Sequence, residues 1–194
     1  MEKIIEKHPL PPFLPANAKL LVLGSFPPQQ KRWSIDFFYP NMQNDMWRII
    51  GLHFFQNKDY FVDIPNKKFK KEAIIDFLTH QGIALYDTAT AIHRLQNNAS
   101  DKYLEIISPT NICDLLQQLP LCRAIATTGQ KATDILCDQF RLTEQPTIGN
   151  HIYSTIGQER LMQFYRMPSS SRAYPLSLEK KAAIYGKMFN DIFK

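Results

Sequence analysis

The segment Met167-Pro168-Ser169-Ser170-Ser171-Arg172 gathers three hydroxyls and a guanidinium in one short turn. Hydroxyls and backbone N–H groups beside an arginine suit a phosphate group, above all where a helix starts. The same residue types also make an ordinary turn. A second chemical feature is the loop SFPPQQKRWSIDFFYPNMQ, with three prolines and five aromatic residues. Aromatic rings on such a loop can stack on a flat ligand or plug the end of a sheet. For Phe37, Phe38 and Trp47 the plug is the expected role. Asp87 ends an apolar run and can cap the turn that follows it.

Several chemistries are excluded. Gly24-Ser25-Phe26-Pro27-Pro28 matches neither GxGxxG nor GxxxxGK[ST], so no dinucleotide or P-loop site is expected. It is not GxSxG either, and no specific spacing assembles a Ser/His/Asp or Cys/His triad. Three cysteines, at 113, 122 and 137, cannot supply a four-cysteine zinc or iron–sulfur centre. Their odd number and spacing point to a reducing, cytoplasmic setting rather than a disulfide framework. The five histidines (His8, His53, His80, His93 and His151) show no HxH or HxxxH pairing, so no metal is expected.

These features need elements to hold them. Lys19–Gly24 reads as a wholly apolar strand covered on both faces. A helix is expected from Asn44 or Asp45, with Asn44 suited to cap it. Lys67, Lys68, Lys70 and Lys71 lead into an amphipathic helix through about His80, where a solvated face is the expected role of the lysines. Gly82 stops it, and Ile83–Tyr86 makes a second buried strand ending at Asp87. A helix over NICDLLQQL, a strand over Arg123–Thr128 and a helix from Gln130 to about Phe140 follow. His151–Ile156 and Leu161–Arg166 read as a strand pair or as one strand with a lead-in. Leu178, Ala182, Tyr185, Phe189 and Ile192 mark a closing amphipathic helix.

Strands alternating with helices predict an α/β sandwich with a mainly parallel sheet. Ligands in such sheets bind beyond the carboxyl ends of the strands, which sets Gly24, Asp87, Thr128 and the serine turn on one rim. The 194 residues fit a single domain, with residues 1–18 as a proline-rich arm. No apolar run approaches the ~18 residues of a membrane span. The net charge of +5 suits a polyanionic partner or an ordinary lysine-rich surface.

Taken together, five segments resemble the uracil-DNA glycosylase superfamily. LVLGSFPP is similar to its first motif, a strand ending in Gly-x-x-Pro. Phe38-Tyr39-Pro40-Asn41-Met42-Gln43-Asn44-Asp45-Met46-Trp47 is similar to an aromatic, His-Pro-x-Asn-x-Phe-Trp pattern of the hypoxanthine and mismatch-specific branches. GIALYD resembles the hypoxanthine branch's Gly-Ile-Ala-Leu-Trp-Asp. MPSSSRAY resembles its second motif, and SLEKKAAIYGKMF its closing helix. The likeness runs in order from about residue 19 to 193. Asn41-Met42 replace the family's His-Pro, and Arg172 and Tyr174 stand where proline and asparagine are usual.

The resemblance implies a three-layer α/β/α sandwich around a mainly parallel, four-stranded sheet. It implies a monofunctional DNA glycosylase of base excision repair, which flips a deaminated base, hypoxanthine or uracil, out of DNA and hydrolyses its bond to the sugar. Asn44 would orient the attacking water, because the matching first-motif position is Phe26, which cannot. Phe26, Tyr39 and Asp87 would bind the base, Tyr39 by stacking and Asp87 by accepting an N–H. Ser169, Ser170, Ser171 and Arg172 would contact the DNA backbone, or Arg172 would fill the gap left by the base. The implied partner is damaged DNA, met by a monomer without cofactor. A non-catalytic nucleic-acid-binding relative and a hydrolase of free nucleosides stand as alternatives.

Overall fold

The computed structural model describes residues 4–95, 101–157 and 160–194. The chain runs β1 (Ile5–Lys7), β2 (Leu20–Gly24), α1 (Met46–Phe55), β3 (Val62–Asp63), β4 (Lys68–Phe69), α2 (Lys71–Gln81) and β5 (Ile83–Asp87). It continues as β6 (Ala89–Arg94), β7 (Leu104–Pro109), α3 (Ile112–Gln117), β8 (Ala124–Thr128), α4 (Gln130–Phe140), β9 (His151–Ile156), β10 (Arg160–Met167) and α5 (Leu178–Phe193).

Every residue of β2, β5 and β8 is buried. Strands with no solvent face belong at the centre of a sheet covered on both sides. They form a mixed sheet of order β5-β2-β8-β10-β9. β5, β2, β8 and β10 are parallel, and β9 pairs antiparallel with β10. The central sheet therefore has five strands, not the four expected. The extra one is β9, whose burial alternates between partial cover and exposure along its second half, as suits an edge strand with one solvated face. That weaker pattern is why His151–Ile156 reads from sequence equally as a strand or as a lead-in.

Two small sheets had no counterpart in the sequence reading. β1, β6 and β7 form an antiparallel sheet, and β3 pairs with β4. β1 has only three residues, too few for a periodicity to register. Its pairing changes the meaning of the proline-rich segment. Beyond β1, the His8 N–H donates to Thr90 O of β6 at 2.8 Å, and Phe13 exchanges backbone hydrogen bonds with Leu85 of β5 at 3.0 and 2.9 Å. Arg94 Nη2 adds a clamp, donating to Glu6 Oε2 at 3.0 Å and to the Pro27 carbonyl at 3.1 Å. One guanidinium thus ties the N-terminal segment, β6 and the loop after β2.

Helix ends follow their local chemistry. Gly82 closes α2 at φ +79°, where a Cβ would approach the Asn17 carbonyl oxygen to 2.7 Å. Ser177 caps α5 by accepting the Lys180 N–H. The apolar stripe of α5 is buried, and Phe189 packs against His53 and Phe54 of α1. This pairing of α1 with α5 brings the segments preceding both helices side by side.

Candidate active site

A cleft of about 730 Å³ opens beyond the carboxyl ends of β2, β5 and β8. All eight residues singled out above line it: Phe26, Tyr39, Asn44, Asp87, Ser169, Ser170, Ser171 and Arg172. Gly24 and Thr128 line it too, so the expected rim is one continuous wall.

The long loop after β2 is held by its own side chains. Trp33 Nε1–H donates to the Pro28 carbonyl at 2.7 Å. The Ser34 N–H and hydroxyl both donate to the Pro40 carbonyl, at 2.9 and 2.8 Å. Phe37, Phe38 and Trp47 are buried core, and Trp47 Nε1–H donates to the Phe38 carbonyl. Tyr39 sits between these anchors at φ +46°, a backbone region that bulky residues avoid. Strain of this kind persists where the surroundings over-determine it, and it clusters at functional sites. The Tyr39 hydroxyl lies 3.2 Å from Thr128 Oγ1, and its ring meets Trp47 edge-on.

Asn44 does not cap α1 in the expected way. The N-cap residue is Asp45, and Asn44 Oδ1 accepts the Met46 N–H at 2.9 Å from one position earlier. That bond fixes which amide atom is oxygen and leaves its second lone pair as an acceptor. The same segment is stitched to the serine turn. Asn44 and Ser171 form an antiparallel bridge, Asp45 N–H donates to Ser170 O at 2.8 Å, and Arg172 N–H donates to Gln43 O at 3.0 Å.

The serine turn departs from expectation in one respect. It does not start a helix, because α5 begins only at Leu178. Its N–H groups are also engaged: Ser171 N–H by Ser169 Oγ, Arg172 N–H by Gln43 O and Ala173 N–H by Ser171 Oγ. Ser170 is buried, while Ser169 and Ser171 are half-buried. Any phosphate here would meet hydroxyls and Arg172 rather than a helix N-terminus. Arg172 Nε–H donates to Asp45 Oδ1 at 2.9 Å, and its side chain stays 43% exposed. Lys181 Nζ reaches the other oxygen, Oδ2, at 3.1 Å, and the Ser171 carbonyl at 2.7 Å.

Asp87 is buried at the end of β5. Its Oδ2 lies 2.8 Å from His8 Nε2. Its Oδ1 lies over Gly24, where any Cβ would collide with it and would stand 3.6 Å from the Tyr39 hydroxyl. A glycine at the end of β2 is therefore what lets the carboxylate reach the rim. Phe26 is buried, edge-on to the His8 ring, in a small core with Ala89, Ile92 and Leu104.

Burial sets the charge state of the framework. Desolvation holds the Tyr185 hydroxyl well above its usual pKa, so it stays a donor to Pro168 O at 2.7 Å, at the foot of the serine turn. Burial, and then the nearby Arg172 charge, lower the pKa of Arg48, which donates to Met42 O at 3.2 Å. Among the described residues no group of three or more His, Cys, Asp or Glu could hold a metal, and no helix could cross a membrane. Sequence reasoning placed Thr128 on the rim but missed His8 and the Asp45–Lys181 pair. Only the histidine before Pro9 and the aspartate at a helix start stood out locally, and neither says which distant residue it meets.

No protein-family model matches the chain, and no curated protein matches it. Among solved structures it is similar to the solution NMR structure of a protein described as a putative uracil DNA glycosylase from Methanosarcina acetivorans. The TM-score is 0.66 at 22% identity, over 97% of this chain and 99% of that one. The two chains share a fold. The shared α/β architecture spans nearly the whole length of both chains.

Proposed function

We propose that this chain is a DNA glycosylase of the uracil-DNA glycosylase superfamily, closest to its hypoxanthine and mismatch-specific branches. Its whole length acts as one domain. The sheet order puts β5 on one side of β2 and β10 on the far side of β8, so right-handed connections would carry α2 and α4 to opposite faces, the three-layer sandwich of this reading. The observation that carries the reading is the convergence of Tyr39, Asn44, Asp87 and the serine turn in one cleft of that fold.

In this reading a deaminated base, uracil or hypoxanthine, leaves the stack and enters the cleft. Tyr39 stacks on it beside Phe26, and Asp87 accepts its ring N–H. The C1′–N bond breaks with its electron pair going to the base, leaving a cationic sugar. A water held by Asn44 Oδ1 adds to C1′, and its released proton neutralises the departing base anion. The sugar cation is a potent electrophile, so the water needs orientation more than a strong base. Asn44 supplies that without an ionisable group.

Duplexes carrying a single uracil, hypoxanthine, xanthine or thymine mismatch test the assignment. Conversion of at least one to an abasic site is the expected result. Binding without excision marks a non-catalytic relative. Cleavage of free nucleosides alone marks a nucleoside hydrolase.

Arg172 is assigned a DNA phosphate. Asp45 already holds its Nε, so a wedge into the base gap would have to break that ion pair, whereas an outward phosphate contact keeps it. Arg172→Ala is expected to weaken binding to lesion and undamaged duplexes alike. It should flatten the slope of log K against log salt by roughly 0.9, the release from one phosphate contact. Fluorescence anisotropy across a salt series reads this. An unchanged slope with loss confined to lesion DNA means a wedge, and wild-type binding at every salt removes the turn from the DNA interface.

A further inference from the structure

Behind Asp87, and outside every role assigned above, lies a histidine from the opposite end of the chain. His8 is 2% exposed at its side chain, enclosed by the rings of Tyr86 at 4.7 Å and Phe26 at 5.3 Å. Its Nδ1 lies 2.8 Å from the Leu10 carbonyl oxygen and 3.2 Å from the Leu10 N–H, and its Nε2 lies 2.8 Å from Asp87 Oδ2.

The possible proton arrangements are few. If Nδ1 accepts the Leu10 N–H, Nε2 carries the proton and donates to Asp87. If both nitrogens carry protons, Nε2 again donates to Asp87. If only Nδ1 carries one, Asp87 must itself be protonated on Oδ2 and donate to Nε2. In all three, Oδ2 is occupied, and Oδ1 is an acceptor so long as Asp87 carries no proton on it. Oδ1 is the atom over Gly24, where a Cβ would also stand 3.6 Å from the Tyr39 hydroxyl, and Gly24, Tyr39 and Asp87 all line the cleft.

We infer that His8 is a specificity-determining positioning residue: it locks Asp87 into acceptor polarity, so the cleft admits bases that present a ring N–H at the edge Asp87 reads. The inference rests on the glycosylase reading. It deepens that reading by naming the substrate class as lactam and imide bases. Uracil N3–H, hypoxanthine N1–H and xanthine N1–H satisfy the acceptor. Cytosine N3 and adenine N1 oppose a lone pair to Oδ1 and are refused, so the undamaged precursors of uracil and hypoxanthine are spared, whereas guanine N1–H and thymine N3–H pass this filter and must be turned away by the rest of the cleft. Without His8, the Asp87 carboxyl loses the partner that fixes its rotation, and the filter is lost.

The test uses single-stranded oligonucleotides, in which base pairing plays no part. They contain uracil or 3-methyluracil, and hypoxanthine or 1-methylhypoxanthine. Wild-type protein should excise each parent base at least 10-fold faster than its N-methyl analogue, the scale of one hydrogen bond to a charged group. His8→Phe keeps a ring against Phe26 and Tyr86 and removes the donor. It should slow excision of the parent bases by about 10-fold and bring the methyl discrimination near unity. His8→Gln, which returns an N–H to the Nε2 position, should restore both. Wild-type protein that ignores the methyl group, or a folded His8→Phe protein that keeps wild-type discrimination, overturns the inference. If no base is excised at all, the glycosylase reading fails, and the same oligonucleotides are compared by binding. A preference for N–H bases that His8→Phe abolishes still upholds the dyad. Equal affinities overturn it as well.

Discussion

Asn44→Ala is expected to slow single-turnover excision by about 100-fold or more, typical of a lost positioned polar group at a reacting centre. The structure separates this from a folding defect. Asn44 Oδ1 also accepts the Met46 N–H at the start of α1, and losing such a local bond costs about 1 kcal/mol. A loss of that size shifts the thermal midpoint by a few degrees and leaves the protein folded at the assay temperature. The two effects therefore part cleanly: a large fall in rate with a small fall in stability. Asn44→Asp sharpens the comparison, because a carboxylate can still accept the Met46 N–H. Thermal unfolding beside single-turnover kinetics on the best substrate measures both quantities. Full activity in folded Asn44→Ala protein assigns the water to another residue.

The framework was legible in the sequence wherever burial was two-sided. Leu20–Gly24, Ile83–Asp87 and Ala124–Thr128 are short, largely apolar runs of the length a covered central strand takes. The closing helix was equally legible, because its stripe from Leu178 to Ile192 has a single face to bury. The rim of the cleft followed from strand direction alone. What the sequence left unreadable is pairing at long range. His8 meets Asp87 across 79 residues, and Lys181 meets Asp45 across 136. A histidine in a proline-rich stretch and a lysine in an amphipathic helix both belong to the ordinary solvated vocabulary of their segments. Only tertiary packing buries them. The serine turn failed differently: its composition suited a helix start, but its N–H groups went to neighbouring hydroxyls and to Gln43 before any helix began.

Lys181→Met is expected to destabilise the protein by about 3 kcal/mol, the lower end of the cost of breaking a buried ion pair. Lys181 is completely buried, and its ammonium lies between Asp45 Oδ2 and the Ser171 carbonyl. Removing it leaves the Asp45 carboxylate 7% exposed with Arg172 as its remaining ionic partner, which is why the lower end applies. The loss should not stop at stability. Lys181 joins the start of α1 to the serine turn, so its removal loosens the turn against Asn44 and lowers affinity for DNA as well. Methionine roughly fills the volume of the lysine stem, so a cavity contributes little. The Lys181→Met/Asp45→Asn double variant isolates the charge contribution. With no buried carboxylate left to compensate, it should be more stable than Lys181→Met alone, and the coupling in the double-mutant cycle should exceed 1 kcal/mol. Urea unfolding of the four proteins measures it. Additive effects of the two substitutions would mean that solvent already screens the pair, and that the serine turn is held by its backbone bridge to Asn44.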